Sequence, residues 1–248
     1  QVGMFSLSDE DLRYYELKVT RGPRQMTAMA EHEELEEGFS LSVLDTGSGA
    51  KMADKILCAC GERFLQKKIF SSIFLTGKGF ARTDWAPEFM KQICNRRRVF
   101  VETALFAKGA AMKAEEYLNE SDSPSFVCLC EGKLWSTVSM EVMKRDAKSE
   151  LVLASAGESW YEARSVVEVI PDGERAITFT ITPQQEPKKK RQVKVALDGF
   201  PERPNKTTKI RVAVGFLDEK TMVVKLTDQG FGELFPRTDA VVRQEVTL

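Results

Sequence analysis

Histidine is nearly missing: His32 is the single imidazole in 248 residues, and its neighbours are Glu31, Glu33 and Glu34. That excludes Ser-His-Asp and Cys-His nucleophilic catalysis and two-histidine metal centres within the chain, because each needs an imidazole placed by a second group. His32 itself reads as an exposed strand-end residue. Long apolar runs are missing too: nothing approaches the roughly 20 residues that span a bilayer, and no signal-peptide pattern is present. With 37 acidic against 36 basic side chains there is no global field to draw the protein to nucleic acid or to an anionic membrane. The expectation is a cytoplasmic protein with neither nucleic acid nor membrane as partner. The five cysteines, Cys58, Cys60, Cys94, Cys128 and Cys130, include two C-x-C pairs that match neither a redox motif nor zinc spacing. They are expected to be small buried apolar residues in a reducing compartment, with no metal and no bound cofactor in this chain. The absent initiator methionine at Gln1 suggests a fragment of a longer protein.

A hydrophobic content of 42% is enough to build cores without staples, and the pattern divides in two. Alternating runs at 2–7, 12–20 and 25–32 predict a three-strand meander, turned by Ser8-Asp9-Glu10-Asp11 and Arg21-Gly22-Pro23. An amphipathic helix is expected over 50–67, capped by Ser48, with Met52, Ala53, Ile56, Leu57, Cys60, Phe64 and Leu65 on its apolar face. A buried strand at 69–76 runs into Gly77-Lys78-Gly79. Pro87 opens a helix reaching about Cys94, and a small-sided helix over 103–118 is expected to pack on the 69–76 strand. The polar breaker Asn119-Glu120-Ser121-Asp122-Ser123-Pro124 marks a boundary between domains at 1–120 and 125–248. Beyond it come short strands at 126–130, 134–142, 150–155, 163–170, 176–182, 192–197, 209–216, 222–227 and 240–247, the spacing of a sandwich or partly open barrel. The fold class is therefore a two-domain α+β chain, βββαβα followed by an all-β sandwich. Basic runs at 96–98 and 188–191 and the acidic cluster at 31–37 read as solvated faces, and Trp85, Trp135 and Trp160 as packing.

Ile73-Phe74-Leu75-Thr76-Gly77-Lys78-Gly79-Phe80 resembles the adenosine motif of the heat-shock (seventy-kilodalton) chaperone and actin-like ATPase superfamily. Phe106-Ala107-Lys108-Gly109-Ala110-Ala111 is similar to the small-residue helix that closes that subdomain. In the second half, Leu197-Asp198-Gly199-Phe200-Pro201, Lys209-Ile210-Arg211-Val212, Val223-Val224-Lys225-Leu226-Thr227-Asp228 and Gly230-Phe231-Gly232-Glu233 follow in the order of the later strands of those chaperones' β-type peptide-binding domain. The resemblance implies part of the second ATPase lobe joined to a peptide-binding-like sandwich. It implies cofactor-binding roles for Thr76, Gly77, Lys78 and Gly79, and peptide-binding roles for Met140, Val142, Met143, Ile170 and Ile177.

The departures are specific. The phosphate-binding turn of the superfamily is glycine-rich, whereas Phe5-Ser6-Leu7-Ser8-Asp9-Glu10-Asp11 has no glycine and carries three carboxylates that repel phosphate. Lys78 stands where the adenosine turn has glycine, the adenine-clamping subdomain is reduced to little more than the 50–67 helix, and neither the first lobe nor a helical lid lies within the chain. The expectation is a non-catalytic, chaperone-like module that binds an extended hydrophobic peptide or client protein. Two alternatives stand beside it: ATP or ADP binding or hydrolysis once a missing lobe or co-chaperone completes the site, and an actin-like assembly component.

Overall fold

The computed structural model describes residues 1–9, 11–21, 25–118 and 126–248. It divides into two compact units, Gln1–Val127 and Cys128–Leu248. The first is a mixed α/β sheet domain and the second an antiparallel β domain of two sheets, the coarse organisation expected from the sequence. The Arg21-Gly22-Pro23 turn in part, Glu10, and the 119–124 breaker lie outside the described residues.

The first domain is built on β1 (Val2–Ser8), β2 (Asp11–Arg21), β3 (Met26–Glu34), α1 (Gly47–Leu65), β4 (Ser72–Thr76), α2 (Pro87–Ile93), β5 (Arg98–Val101), α3 (Leu105–Leu118) and β6 (Phe126–Leu129). The sheet order is β5-β4-β1-β2-β3-β6, with β1, β4 and β5 parallel and β2 antiparallel to β1 and β3. Alternation along β1 buries Gly3, Phe5 and Leu7 on one face. Phe5 meets Tyr14 at 5.0 Å and the edge of Phe89 at 5.3 Å, while Tyr14 stacks on Phe64 of α1 at 4.2 Å. With Leu57, Ile73, Leu75, Phe80 and Ile93 these rings make the core between the sheet, α1 and α2.

Several local expectations are corrected. Thr46, not Ser48, caps α1: its Oγ1 accepts from Gly49 N–H at 3.1 Å, so the helix starts at Gly47. Met52 is exposed, and the buried face instead carries Asp54. Its carboxylate accepts from Glu88 N–H at 3.1 Å and Phe89 N–H at 2.9 Å, capping α2, whose own N-cap Ala86 has no side chain to do so. The 69–76 strand shortens to β4 because Ile69 is exposed. The helix α3 does not pack on β4; its described side chains are exposed apart from half-buried Leu105, and Phe106 meets Tyr15 of β2 at 5.5 Å. Phe74 and Phe100, stacked at 5.1 Å, occupy the sheet surface where that packing is expected. β5, for which no strand is expected, begins at Arg98, the last residue of the 96–98 basic run, and the strand expected at 126–130 joins the first sheet as β6. Cys60 is buried as expected, but Cys94 and Cys128 are exposed.

The second domain holds β7 (Ser136–Lys144), β8 (Ala147–Ala154), β9 (Ser165–Val169), β10 (Ala176–Pro183), β11 (Arg191–Ala196), β12 (Lys209–Phe216), β13 (Thr221–Gly230) and β14 (Val241–Thr247). One sheet runs β11-β10-β7-β8 and the other β14-β13-β12-β9. Val138, Phe179, Ile181, Val195, Ile210, Val212, Val224 and Leu226 alternate inward to form their common core. At one end Asp228 is fully buried and accepts two bonds of 2.8 Å from Arg203, with further donors from Gly230 N–H at 2.9 Å and Thr238 N–H at 3.0 Å. Arg203 also donates to the Pro236 carbonyl at 2.7 Å, so one ion pair ties the 197–208 loop to the segment after β13. Burial alone would raise the Asp228 pKa, but the Arg203 guanidinium and these donors outweigh it and hold the group at about 2.

Asp54→Ala should cost about 1–2 kcal/mol of stability in urea unfolding, with Asp54→Asn losing less; an unchanged midpoint would contradict the capping role. Because the folded pKa of Asp228 lies below its ordinary value, its contribution is present above the ordinary carboxylate range and is lost as pH falls toward 2. Asp228→Asn leaves the Arg203 charge buried and should cost about 3 kcal/mol at neutral pH. The difference from wild type should shrink on acidification, and a constant difference down to the folded pKa would contradict the assignment.

Candidate functional site

β1, β4 and β5 run parallel and end on one edge of the first sheet. In α/β sheets this carboxyl edge is where ligands are held, because turns and main-chain N–H groups converge there. The turn after β1, the Gly77-Lys78-Gly79 turn after β4 and the Glu102-Thr103 segment after β5 all meet at it. Thr76 Oγ1 donates to the Thr103 carbonyl at 3.4 Å, and Glu102 N–H to the Leu75 carbonyl at 2.9 Å. Parallel pairing of β4 with β1 also brings the Gly77-Lys78-Gly79 turn beside Leu7 and Ser8 at the end of β1.

The contacts made there are internal. Gly77 has φ +91°, and a Cβ on it would lie 2.3 Å from the Leu7 carbonyl oxygen and 2.7 Å from Ser8 Oγ. A Cβ on Gly79 would lie 2.5 Å from the Leu7 side chain. The glycines let the turn press against the end of β1, so the space they spare is filled by the chain itself. Trp85 fastens the turn by donating its indole N–H to the Gly79 carbonyl at 3.1 Å. Thr76 and Gly79 are buried, Gly77 is half-buried, and Lys78 is the exposed member of the four. Its ammonium lies 3.9 Å from an Asp9 oxygen. Asp9, in the left-handed region at φ 53°, makes the tight hairpin between β1 and β2 in place of a glycine. Among the described residues the charges on this edge include Asp9, Asp11 and Glu102 against Lys78 and Lys108, with Lys108 already paired to Glu102 and Asp11 to Arg13.

The five residues expected to hold peptide do not converge. Met140 and Ile177 lie in the core between the two sheets, which removes them from any surface pocket, and Val142 is half-buried against that core. Met143 is exposed on the opposite face of β7, in the β11-β10-β7-β8 sheet, whereas Ile170 is exposed just beyond β9 of the other sheet. Strand alternation separates them, since Met140 and Val142 point inward and Met143 outward.

A concavity missed from the sequence lies where β9 ends. The turn after β9 and the 197–208 loop enclose it, with Pro171, Leu197, Phe200 and Pro201 as its apolar lining and Arg175 at its rim. Asn205 braces the two sides, accepting from Gly173 N–H at 2.7 Å and donating to Asp172 at 2.8 Å, and Arg175 donates to the Phe200 carbonyl at 3.3 Å. The Leu-Asp-Gly-Phe-Pro string was the available signal. Among the described residues there is no group of three or more His, Cys, Asp and Glu placed to hold a metal, and no helix long and apolar enough to cross a membrane. Burial, with Asp54 and Glu88 nearby, pushes the Cys58 thiol up to about 11, away from thiolate chemistry.

Gly77→Ala should destabilise the domain by at least about 2 kcal/mol, from the left-handed φ and the contact with Leu7, while Lys78→Ala should stay within about 0.5 kcal/mol. Thermal or urea unfolding checks this, and a neutral Gly77→Ala would show that the turn does not need its glycine for packing.

Comparison with known families places both halves of the chain. Residues 1–131 match the model described as the C-terminal region of a family of unknown function, DUF5716. Residues 133–248 match a domain of unknown function, DUF8552. No curated protein matches the chain. Since the first match spans more than half of the sequence, the chain belongs to the DUF5716 C-terminal family.

Proposed function

We propose that the chain is a non-catalytic, chaperone-like protein-binding module, in which the first domain is a degenerate actin-like ATPase subdomain and the second a peptide-binding-like sandwich. The observation that carries this reading is the open edge of β9. This strand stands at the end of its sheet, and its sequence Ser-Val-Val-Glu-Val continues into Ile170. Val166 is 53% exposed and Ile170 46%. An extended client segment would pair along this edge through main-chain hydrogen bonds, then place one apolar side chain in the concavity formed by Pro171, Leu197, Phe200 and Pro201. The other free edge on that side, β8, carries Lys148 and Glu150, charges that discourage pairing.

ATP and ADP are left out of this reading. The turns on the parallel edge are packed against each other, and Asp9 and Asp11, at the hairpin after β1, supply carboxylates at a turn where phosphate would need N–H donors. The βββαβα order from β1 to α2, which continues into β5, α3 and β6, supports an actin-like scaffold without supplying its chemistry.

A labelled extended hydrophobic peptide should bind saturably in an anisotropy titration. Val166→Lys with Ile170→Lys should weaken it by about tenfold or more, since apolar side chains no longer cover the peptide, while leaving thermal stability unchanged. Absence of saturable binding at high micromolar peptide would sink the proposal.

A further inference from the structure

The other free edge of interest is β5, at the end of the first sheet. Its register pairs Leu75 with Val101, and Glu102 N–H donates to the Leu75 carbonyl. In a parallel ladder this directs the main-chain groups of Phe100 and Glu102 toward β4, so those of Val99 and Val101 point to the open edge. Val101 and Phe100 are both exposed, and Arg98 is exposed with no ion-pair partner among the described residues. Arg98, Phe100 and Glu102 alternate onto one face, and Val99 and Val101 onto the other.

The string Arg98-Val99-Phe100-Val101-Glu102 is self-complementary when read antiparallel about Phe100. We propose that β5 pairs with β5 of a second copy of this chain across a two-fold axis at Phe100, with Arg98 of each copy opposite Glu102 of the other. The hydrogen-bonding alternation allows only registers that set odd residues opposite odd ones. Shifting by one such step sets Arg98 against Phe100, or Phe100 against Glu102, and loses both charge pairs. The central register alone matches charge to opposite charge and apolar to apolar. Val99 of one copy and Val101 of the other then exchange main-chain bonds on both sides of the axis, about four in all. The Phe74–Phe100 stack, with centroids 5.1 Å apart, continues through the second Phe100. Glu102 also holds Lys108 and accepts from Ala104 N–H at 3.2 Å, so it is already oriented at the strand end. This self-association does not rest on the client-binding reading, which concerns the second domain.

Sedimentation velocity across a wide concentration range tests it. Wild type should form a concentration-dependent dimer, and Arg98→Glu and Glu102→Arg should each weaken it by about tenfold or more by setting like charges opposite each other. An equimolar mixture of the two variants should recover association, because each carboxylate of one variant then faces a guanidinium of the other. Circular dichroism confirms that each variant folds; if Glu102→Arg does not, Arg98→Glu alone and Glu102→Gln give the comparison. A strictly monomeric wild type, a dimer indifferent to Arg98→Glu, or a mixture no stronger than its components would overturn the proposal.

Discussion

The close approach of the Gly77 turn to the end of β1 is the contact on which the first domain depends. Parallel pairing of β4 with β1 places Thr76 opposite Ser6, and the chain must then leave the sheet without colliding with Leu7. A residue without Cβ, at positive φ, satisfies both demands. The same contact decides the chemistry of the edge. The space beside the Gly77 and Gly79 Cα atoms is taken by Leu7 and Ser8, and Trp85 fastens the turn through the Gly79 carbonyl. The carboxyl edge of the parallel strands is thereby closed by its own packing.

In the second domain the corresponding anchor is polar. Burying Asp228 and Arg203 together is costly unless every lone pair and proton is met, and here the carboxylate has donors from Arg203, Gly230 and Thr238. Their geometry fixes the 197–208 loop, which is one wall of the concavity at the end of β9. A structural ion pair thus sets the shape of the surface proposed to receive a client. It acts through position and makes no contact that the proposal assigns to the client.

Much of the fold was legible because side-chain period reports burial directly. The meander, α1 and most of the later strands follow from alternation or helical spacing. The failures share a cause: they concern pairs distant in sequence. Asp54 looks like a solvated helix residue, yet it caps α2 across more than thirty positions. Arg98-Val-Phe-Val is hidden at the end of a run of arginines, and only its pairing with β4 makes it a strand. For the candidate site, the two turns are legible, but the packing of the glycines against Leu7 is not, since sequence cannot say whether the space beside a glycine holds a ligand or a neighbouring leucine. The peptide residues suffer from period two: adjacent choices such as Val142 and Met143 point to opposite faces.

The parallel edge of the first domain is packed by its own chain, and the central proposal is that it therefore binds no nucleotide. Calorimetric titration of the chain with ATP and ADP, each with magnesium, tests it most directly. The account predicts only heats of dilution at millimolar nucleotide. A saturable isotherm, abolished by a substitution at Lys78, would contradict it.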